Sequence, residues 1–259
     1  MGERVTGISA EMPPVAFSRR SLFERVAGML PGKGDTLVYF AGCDAAYIRP
    51  EIGEAAIRLF SRLGYRVLLP PQHCCGLPMM AKGMVAGARR RILVNLRKWW
   101  HLAADAAAVV VTCSSCGLAL MDTWDHVVGD ERSTLLREKV VHWSRLVLPR
   151  LKDLSLKEEA GRCLYHLPCH LKVQPEAEAS LAVLQMVPGM TVDFEELGCC
   201  GMAGSWGLNR KNEALSRLIG GRLKEKLVDP FSGIGATDCP TCRMQMAWLG
   251  KSAIFHPVE

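Results

Sequence analysis

The sequence lacks several features that would place it in a familiar class of protein. No run of about 20 apolar residues occurs in its 259 positions, so no segment predicts a membrane span. The first residues carry charges and have no apolar secretory core, so we expect a cytoplasmic chain. Aromatic residues make up only 7%, and no known nucleic-acid-binding module is recognisable. Nucleic acid is therefore not an expected partner.

Cysteine, in contrast, is abundant. The chain contains 11 cysteines, an odd number. Because disulfide frameworks need paired cysteines and an oxidising compartment, a reducing compartment with thiolate ligands is favoured. A chain of this length, 49% apolar, can bury one large core or two cores of roughly 100 to 150 residues each.

Ten of the cysteines form an internal repeat. Each copy has a lone cysteine, then a pair in the motif CCG, then a CxxC motif, and corresponding cysteines lie 125 or 126 residues apart. The first copy contains Cys43, Cys74, Cys75, Cys113 and Cys116, and the second contains Cys169, Cys199, Cys200, Cys239 and Cys242. Repetition at a fixed period indicates two equivalent structural units. The remaining Cys163 lies in an apolar run and is interpreted as a buried thiol.

The segments around the cysteines predict an α/β fold. In each copy a β-rich run leads to the lone cysteine, an amphipathic segment follows, and two further short strands lead to CCG and CxxC. This order predicts a tandem duplication of two pseudo-symmetric α/β units with parallel sheets. We expect an N-terminal extension over residues 1–35, a first domain over 36–151, a linker over 152–160 and a second domain over 161–259.

The predicted sheets bring the cysteines of each copy together. The carboxyl ends of parallel strands meet at one edge, where α/β folds bind ligands, so five thiols of one copy converge there. A structural zinc needs four ligands, whereas an iron–sulfur cluster has several irons and uses the surplus. Gly76 and Gly201, which follow the cysteine pairs, let the backbone approach a cluster and donate N–H groups to its sulfides. Zinc and free or transient thiol pairs remain alternatives.

The double repeat resembles the paired CCG domains of an iron–sulfur family. That family includes the B subunit of heterodisulfide reductase, the lactate-utilisation and glycolate-oxidase iron–sulfur subunits, and the C subunit of anaerobic glycerol-3-phosphate dehydrogenase. The resemblance covers residues 36–259, and LYHLPCH, CCGMAGSWG, TDCPTCRMQM and FHPVE are most similar to the last of these. It implies that each set of five cysteines binds one [4Fe–4S] cluster, with the noncubane form of heterodisulfide reductase as an alternative to a cubane.

The resemblance also implies a role in electron transfer. The expected protein is an oxidoreductase subunit that passes electrons between a flavin-containing dehydrogenase subunit and a quinone or similar acceptor. One alternative is a catalytic subunit that reduces a disulfide substrate at a noncubane cluster, and another is a zinc-stabilised scaffold. Ferredoxin-like runs of C-x-x-C-x-x-C-x-x-x-C-P, common in these relatives, do not occur here. We therefore expect the corresponding clusters on a partner, such as a ferredoxin-like subunit.

Three histidines close to the cysteines in sequence are candidate catalytic residues. His166 and His170 flank Cys169, and His73 precedes the first CCG motif. An imidazole there could tune a cluster by hydrogen bonding or deliver a proton to a substrate. Ordinary packing explains each histidine as well.

Two segments combine basic and apolar residues. Residues 87–101 form an arginine-rich segment that ends in two tryptophans, and residues 17–30 have a helical apolar face. Such helices suit a membrane surface or a partner subunit, so peripheral contact with the inner face of the cell membrane is one expectation. A solvated helix face explains the first segment equally well. The residues concerned are Trp99 and Trp100 in the first segment, and Phe17, Leu22, Phe23, Val26 and Leu30 in the second.

Overall fold

Two compact units make up the protein. The computed structural model describes residues 3, 6–12, 15–27, 32–175, 177–228, 233–250 and 252–259. The first unit consists of Ala16–Ser155 with Val258–Glu259, and the second consists of Leu156–Pro257 with the described residues up to Val15. Residues of the predicted extension 1–35 are therefore divided between the two units.

A four-stranded parallel sheet forms the centre of the first unit. Its order is β2–β1–β3–β4, and β1 and β3 are its central strands. Both central strands are apolar almost throughout, as is typical of parallel strands buried on both faces. The strands are β1 (Thr36–Phe40), β2 (Arg66–Leu68), β3 (Ala108–Val111) and β4 (Val140–His142).

The helices of the first unit pack an aromatic core against this sheet. Trp99 and Trp124 are fully buried, and both rings lie about 6 Å from the ring of Phe40 at the end of β1. The α-helices are α1 (Leu22–Arg25), α2 (Pro50–Arg62), α3 (Leu77–Met80), α4 (Val85–Asp105), α5 (Ser114–Leu118), α6 (Trp124–Val128), α7 (Glu131–Lys139) and α8 (Trp143–Val147). The described residues of this unit also form two π-helical segments (Asp44–Ile48 and Ala119–Thr123) and a 3₁₀ helix (Leu148–Asp153).

The second unit repeats the parallel sheet of the first. Its order is β6–β5–β7–β8, which matches the first sheet strand for strand and confirms the predicted duplication of α/β units. The strands are β5 (Gly161–Tyr165), β6 (Met190–Phe194), β7 (Ile234–Ala236) and β8 (Ile254–Phe255). The helices are α9 (Cys169–Lys172), α10 (Ala179–Gln185), α11 (Glu213–Ile219), α12 (Gly221–Val228) and α13 (Pro240–Gly250).

The fourth strand of each sheet is an element that the sequence analysis missed. β4 has three residues and β8 has two, which is too short for an alternating pattern to stand out. Each strand leads to a buried histidine, His142 at the end of β4 and His256 directly after β8. The sequence signal that could have revealed these two strands is the similarity of the triplets VVH (140–142) and IFH (254–256).

The predicted contact face in residues 17–30 is wrong for Leu22. The helix there is only α1, four residues long, which begins with a capping box of Ser21 and Glu24. Leu22 is fully buried against Gly53 of α2, where a Cβ would lie 2.3 Å from Leu22 Cδ2. Phe17 is 75% exposed, and Leu30 lies outside the described residues. Leu22 therefore stabilises its own unit.

The predicted helix over residues 87–101 lies within α4, but its role as a contact surface is wrong for Trp99. That side chain is fully buried in the aromatic core, while Trp100 is half-buried. No described helix has the length and the apolar character that crossing a bilayer requires.

Candidate metal centres

The cysteines of each repeat lie just beyond the carboxyl ends of three strands. In the first unit the lone cysteine follows β1, the CCG pair follows β2, and the CxxC motif follows β3 into α5. In the second unit the same three motifs follow β5, β6 and β7. All eleven cysteines lie in the described part of the chain, and none of them forms a disulfide there. Each sheet thus brings its five thiols to one edge.

The thiols of the first site interact directly with one another. Hydrogen bonds from Cys116 and Cys74 hold the pKa of the Cys75 thiol well below its usual value. Hydrogen bonds with Cys113 and Cys75 raise the pKa of Cys116. Burial raises the pKa of Cys43 to about 12, and the thiols of Cys113 and Cys75 add to that rise. The five sulfurs therefore form a single electrostatic group.

The second site has the same kind of thiol network. Hydrogen bonds from Cys169 and Cys200 lower the pKa of the Cys199 thiol to about 2. The hydrogen bond with Cys199 raises the pKa of Cys200 to about 12. Hydrogen bonds with Cys200 and Cys239 raise the pKa of the buried Cys242. In each unit, one member of the CCG pair is the favoured thiolate.

This arrangement tests which group the sites fit. Five crowded sulfurs repel one another when ionised, so a nearby positive charge is needed to hold all of them as thiolates. Metal ions provide that charge and bind the deprotonated form. A tetrahedral zinc would use four of the five sulfurs. The donor set therefore fits a polynuclear thiolate-bound centre in each unit.

A glycine after each cysteine pair adds a backbone donor to the site. The N–H of Gly76 donates to Cys74 Sγ at 3.5 Å, and the N–H of Gly201 donates to Cys199 Sγ at 3.4 Å. Both glycines have φ near +90°, a conformation that other residues rarely adopt. The two copies thus share the same backbone contact to sulfur.

Sequence comparison identifies the family that this geometry suggests. The family model described as "Cysteine-rich domain", CCG, matches residues 37–121 and 163–247. The chain belongs to the CCG cysteine-rich domain family. The two matched segments coincide with the two thiol sites, since each contains one full set of five cysteines.

Several known proteins are similar to this chain over most of its length. It is 28% identical to the C subunit of anaerobic glycerol-3-phosphate dehydrogenase of Escherichia coli, over 95% of this chain and 64% of that protein. It is 27% identical to the B subunit of fumarate reductase (CoM/CoB) of Methanothermobacter marburgensis, over 82% of this chain and 42% of that protein. Lactate utilization protein A of Geobacillus kaustophilus is 27% identical, over 75% and 79% respectively. The chain thus spans less than two thirds of the first two relatives.

Polar and aromatic side chains that the sequence analysis missed support the first CCG site. Asn95 of α4 is fully buried; its Oδ1 accepts from His73 N at 2.7 Å, and its Nδ2 donates to His73 O at 3.1 Å. Trp124 Nε1 donates to Cys75 O at 2.7 Å. These bonds fix the backbone of the CCG loop. The sequence offered one signal for the role of Asn95: it is a polar residue next to Leu96 on the apolar face of a predicted helix.

The glycine and glutamine near Cys43 complete the first site. Gly42 N donates to Gln72 Oε1 at 3.2 Å, and Gln72 Nε2 donates to Tyr39 O at 3.2 Å. A Cβ at Gly42 would lie 2.8 Å from Cys116 Sγ, so a side chain there would displace that thiol. The absence of a side chain at Gly42 therefore leaves the space in the loop after β1 that the Cys116 sulfur occupies.

The three candidate histidines differ in their relation to the CCG sites. His166 is buried, and its ring lies close to two thiols of the second site. One ring nitrogen and the Sγ atoms of Cys200 and Cys242 all lie within 4.8 Å of one another. Burial lowers the pKa of His166 to about 4. His73 Nε2 instead lies 3.3 Å from Lys98 Nζ. His170 is half-buried, and its carbonyl accepts from Gln174 Nε2 at 2.6 Å.

Proposed function

We propose that this chain is an iron–sulfur subunit of a multi-subunit oxidoreductase that transfers electrons through two clusters. The observation that carries the proposal is the pair of equivalent sites, each with five converging thiols and a glycine N–H directed at one sulfur. In this proposal each set of five cysteines holds one [4Fe–4S] cluster. Five ligands also suit a noncubane cluster, which is the alternative form.

The names of the relatives support this class of function. They are subunits of a dehydrogenase and a reductase, which are enzymes of electron transfer. A flavin-containing dehydrogenase subunit is the proposed donor, directly or through a ferredoxin-like subunit, and a quinone or a similar molecule is the proposed acceptor. We further propose that the assembly lies at the inner face of the cell membrane.

The residues of the chain have separate tasks in this proposal. Bound clusters would supply one-electron redox chemistry. The cysteines hold them, while the N–H groups of Gly76 and Gly201 stabilise negative charge on sulfur. The buried rings of Phe40, Trp99 and Trp124 exclude water from one side of the first site.

A second candidate function is reduction of a disulfide substrate at the second site. The observation that favours it is exposure: Cys43 and its counterpart Cys169 are both exposed, but Cys199 of the second site is exposed whereas its counterpart Cys74 is half-buried. A disulfide would take two electrons from the partner dehydrogenase and two protons from solvent, and its S–S bond would break to give two thiols. The disulfide substrate would then reach the second site from the side on which Cys169 and Cys199 are exposed.

The decisive experiment is metal and sulfide analysis of anaerobically purified protein. About eight irons and eight acid-labile sulfides per chain are expected for two four-iron clusters. EPR spectra of the oxidised and reduced protein would then distinguish cubane from noncubane clusters. One or two zinc ions without sulfide would contradict the proposal and favour a zinc-stabilised scaffold.

A second experiment separates the two functions. The dithionite-reduced protein is mixed anaerobically with a soluble quinone analogue or with a small disulfide, and reoxidation is followed by visible absorption. Fast reoxidation by the quinone alone supports electron transfer to a quinone-like acceptor. Fast reoxidation by the disulfide, with two thiols formed per disulfide, supports the catalytic alternative.

A further inference from the structure

His166 occupies a position where the two units differ. The lone cysteine of each unit is preceded, three residues earlier, by Phe40 in the first unit and by His166 in the second. Phe40 packs between Trp99 and Trp124 in the aromatic core. His166 is equally buried, with 2% exposure, but it carries two ring nitrogens that need partners.

One of those nitrogens is buried without a partner. Among the described residues, His166 Nε2 has no hydrogen-bond partner. Buried polar atoms are nearly always satisfied, so an unsatisfied one indicates a missing ligand, ion or water. The candidate partners of this nitrogen are sulfur atoms, because the ring lies close to the thiols of Cys200 and Cys242.

The backbone holds the ring in this place. His166 N donates to Ala236 O at 2.9 Å, which extends the pairing of β5 with β7 by one residue. The preceding residue is anchored too, since Tyr165 Oη donates to Asp238 Oδ2 at 2.7 Å. The imidazole therefore belongs to a rigid strand end.

We infer that His166 is a positioning residue of the second site, where its Nε2–H donates a hydrogen bond to a metal-bound sulfur of Cys200 or Cys242. This inference rests on the proposed function, because it requires a cluster on those cysteines. Hydrogen bonds to cluster sulfurs stabilise the more negative, reduced state and raise the reduction potential. Phe40 cannot donate such a bond, so the first unit has no hydrogen-bond donor at the equivalent position.

The test is a redox titration monitored by EPR on anaerobically purified variants. Wild type is compared with His166→Phe, which copies the first unit, and with His166→Gln, which keeps an N–H donor. Phe40→Leu is the matched control, because it alters the equivalent position of the first unit without adding a donor. Cys75→Ser, which disrupts the first site, identifies the signal of the second. Iron and sulfide are measured for every sample.

His166→Phe is expected to keep its iron and sulfide. At a fixed potential near the midpoint of the wild-type second site, the ratio of reduced to oxidised second cluster should fall about tenfold, which is about 59 mV for a one-electron couple. In His166→Gln this ratio should fall by less than tenfold. Phe40→Leu should leave the EPR signal and the potential of the second site unchanged. Should His166→Phe fail to fold by circular dichroism, the comparison of His166→Gln with wild type decides, and any smaller downward shift supports the inference.

Three results would overturn the inference. Unchanged potentials in both His166 variants, with clusters intact, would show that the imidazole does not act on the cluster. Loss of iron from the second site in a folded His166→Phe protein would make the residue a metal ligand instead of a hydrogen-bond donor. Wild-type protein without iron and sulfide would refute the proposed function, and the inference would fail with it.

Discussion

The two CCG units share a scaffold and differ in the polarity around their thiols. In the first unit, Tyr39 Oη lies 2.9 Å from the hydroxyl of Thr112. In the second unit the equivalent Tyr165 donates instead to the buried carboxylate of Asp238. Asp238 also accepts from Ser180 Oγ at 3.0 Å. At this equivalent position the first unit has a neutral hydroxyl and the second unit has a buried carboxylate, although the first unit has a buried acid of its own, Asp44, directly after Cys43.

This difference teaches which parts of a CCG unit are fixed and which vary. The sheet order, the position of the thiols and the glycine N–H contact to sulfur are the same in both copies. The side chains that pack behind the thiols are not. His256 Nε2 lies 3.7 Å from Asp238 Oδ1, so the second unit combines a histidine and a carboxylate next to Cys239. Duplication therefore kept the cysteine framework and diversified its surroundings.

The largest expected effect breaks one site and spares the other. Cys200→Ser should remove the visible absorption and EPR signal of the second cluster and about half of the iron, because a ligand of that site is lost. Cys75→Ser is the matched variant and should remove the first signal only. Persistence of both signals in either variant would refute the assignment of ligands.

A smaller effect is expected from the glycines that donate to sulfur. Gly201→Ala and Gly76→Ala both place a side chain at positive φ, which costs about 1–2 kcal/mol. A Cβ at Gly201 would also lie 2.1 Å from Ser216 O, whereas one at Gly76 meets Ala88 Cβ at 3.4 Å. Overpacking adds about 1–3 kcal/mol, so Gly201→Ala should destabilise more.

Chemical denaturation followed by circular dichroism would measure this comparison. Both variants should lose stability, and the loss in Gly201→Ala should exceed the loss in Gly76→Ala. Equal losses would show that the two CCG loops have similar space around them, in conflict with the structure.

Asn95 and Trp124 offer a way to weaken the first unit alone. Asn95→Ala leaves the N–H and C=O groups of His73 without their partner, and Trp124→Phe does the same to Cys75 O. A buried polar group that loses its partner costs about 1–3 kcal/mol. The free energy of unfolding should fall by this amount, and the EPR signal of the first site should broaden while that of the second stays unchanged.

The smallest expected effect concerns the attachment of the N-terminal residues to the second unit. Ser9 Oγ donates to Glu213 Oε2 at 2.6 Å, and both residues are buried. Ser9→Ala should reduce the free energy of unfolding by about 1 kcal/mol, since Glu213 keeps its ion pair with Arg210. Ser18→Ala is the control: it removes the exposed hydrogen bond to Arg20 O and the partly buried one from Arg25 Nη2 in the first unit, and it should have less effect. An equal loss in both variants would contradict the proposed anchor.

The sequence predicted the fold well where patterns repeat. The cysteine period and the strands before each motif were sufficient to predict two parallel α/β units, and the resemblance of the repeated CCG motifs to a known family pointed to the family. Periodicity alone does not show what covers an apolar face. The apolar pattern therefore predicts contact residues at Leu22 and Trp99, although both side chains are fully buried in the first unit. The partners of Asn95 could not be predicted either, because they are backbone groups 22 residues away.

The division of the chain ends between the units has a consequence for cleavage. Residues near Ser9 are attached to the second unit, and Glu259 forms an ion pair with Arg49 of the first. A protease cut between Ser155 and Leu156 would give two fragments, each carrying a terminal segment that belongs to the other's fold. Such fragments should copurify after cleavage, much as the pieces of a split protein reassociate. If the two fragments are produced from separate genes, they should fold best when they are coexpressed.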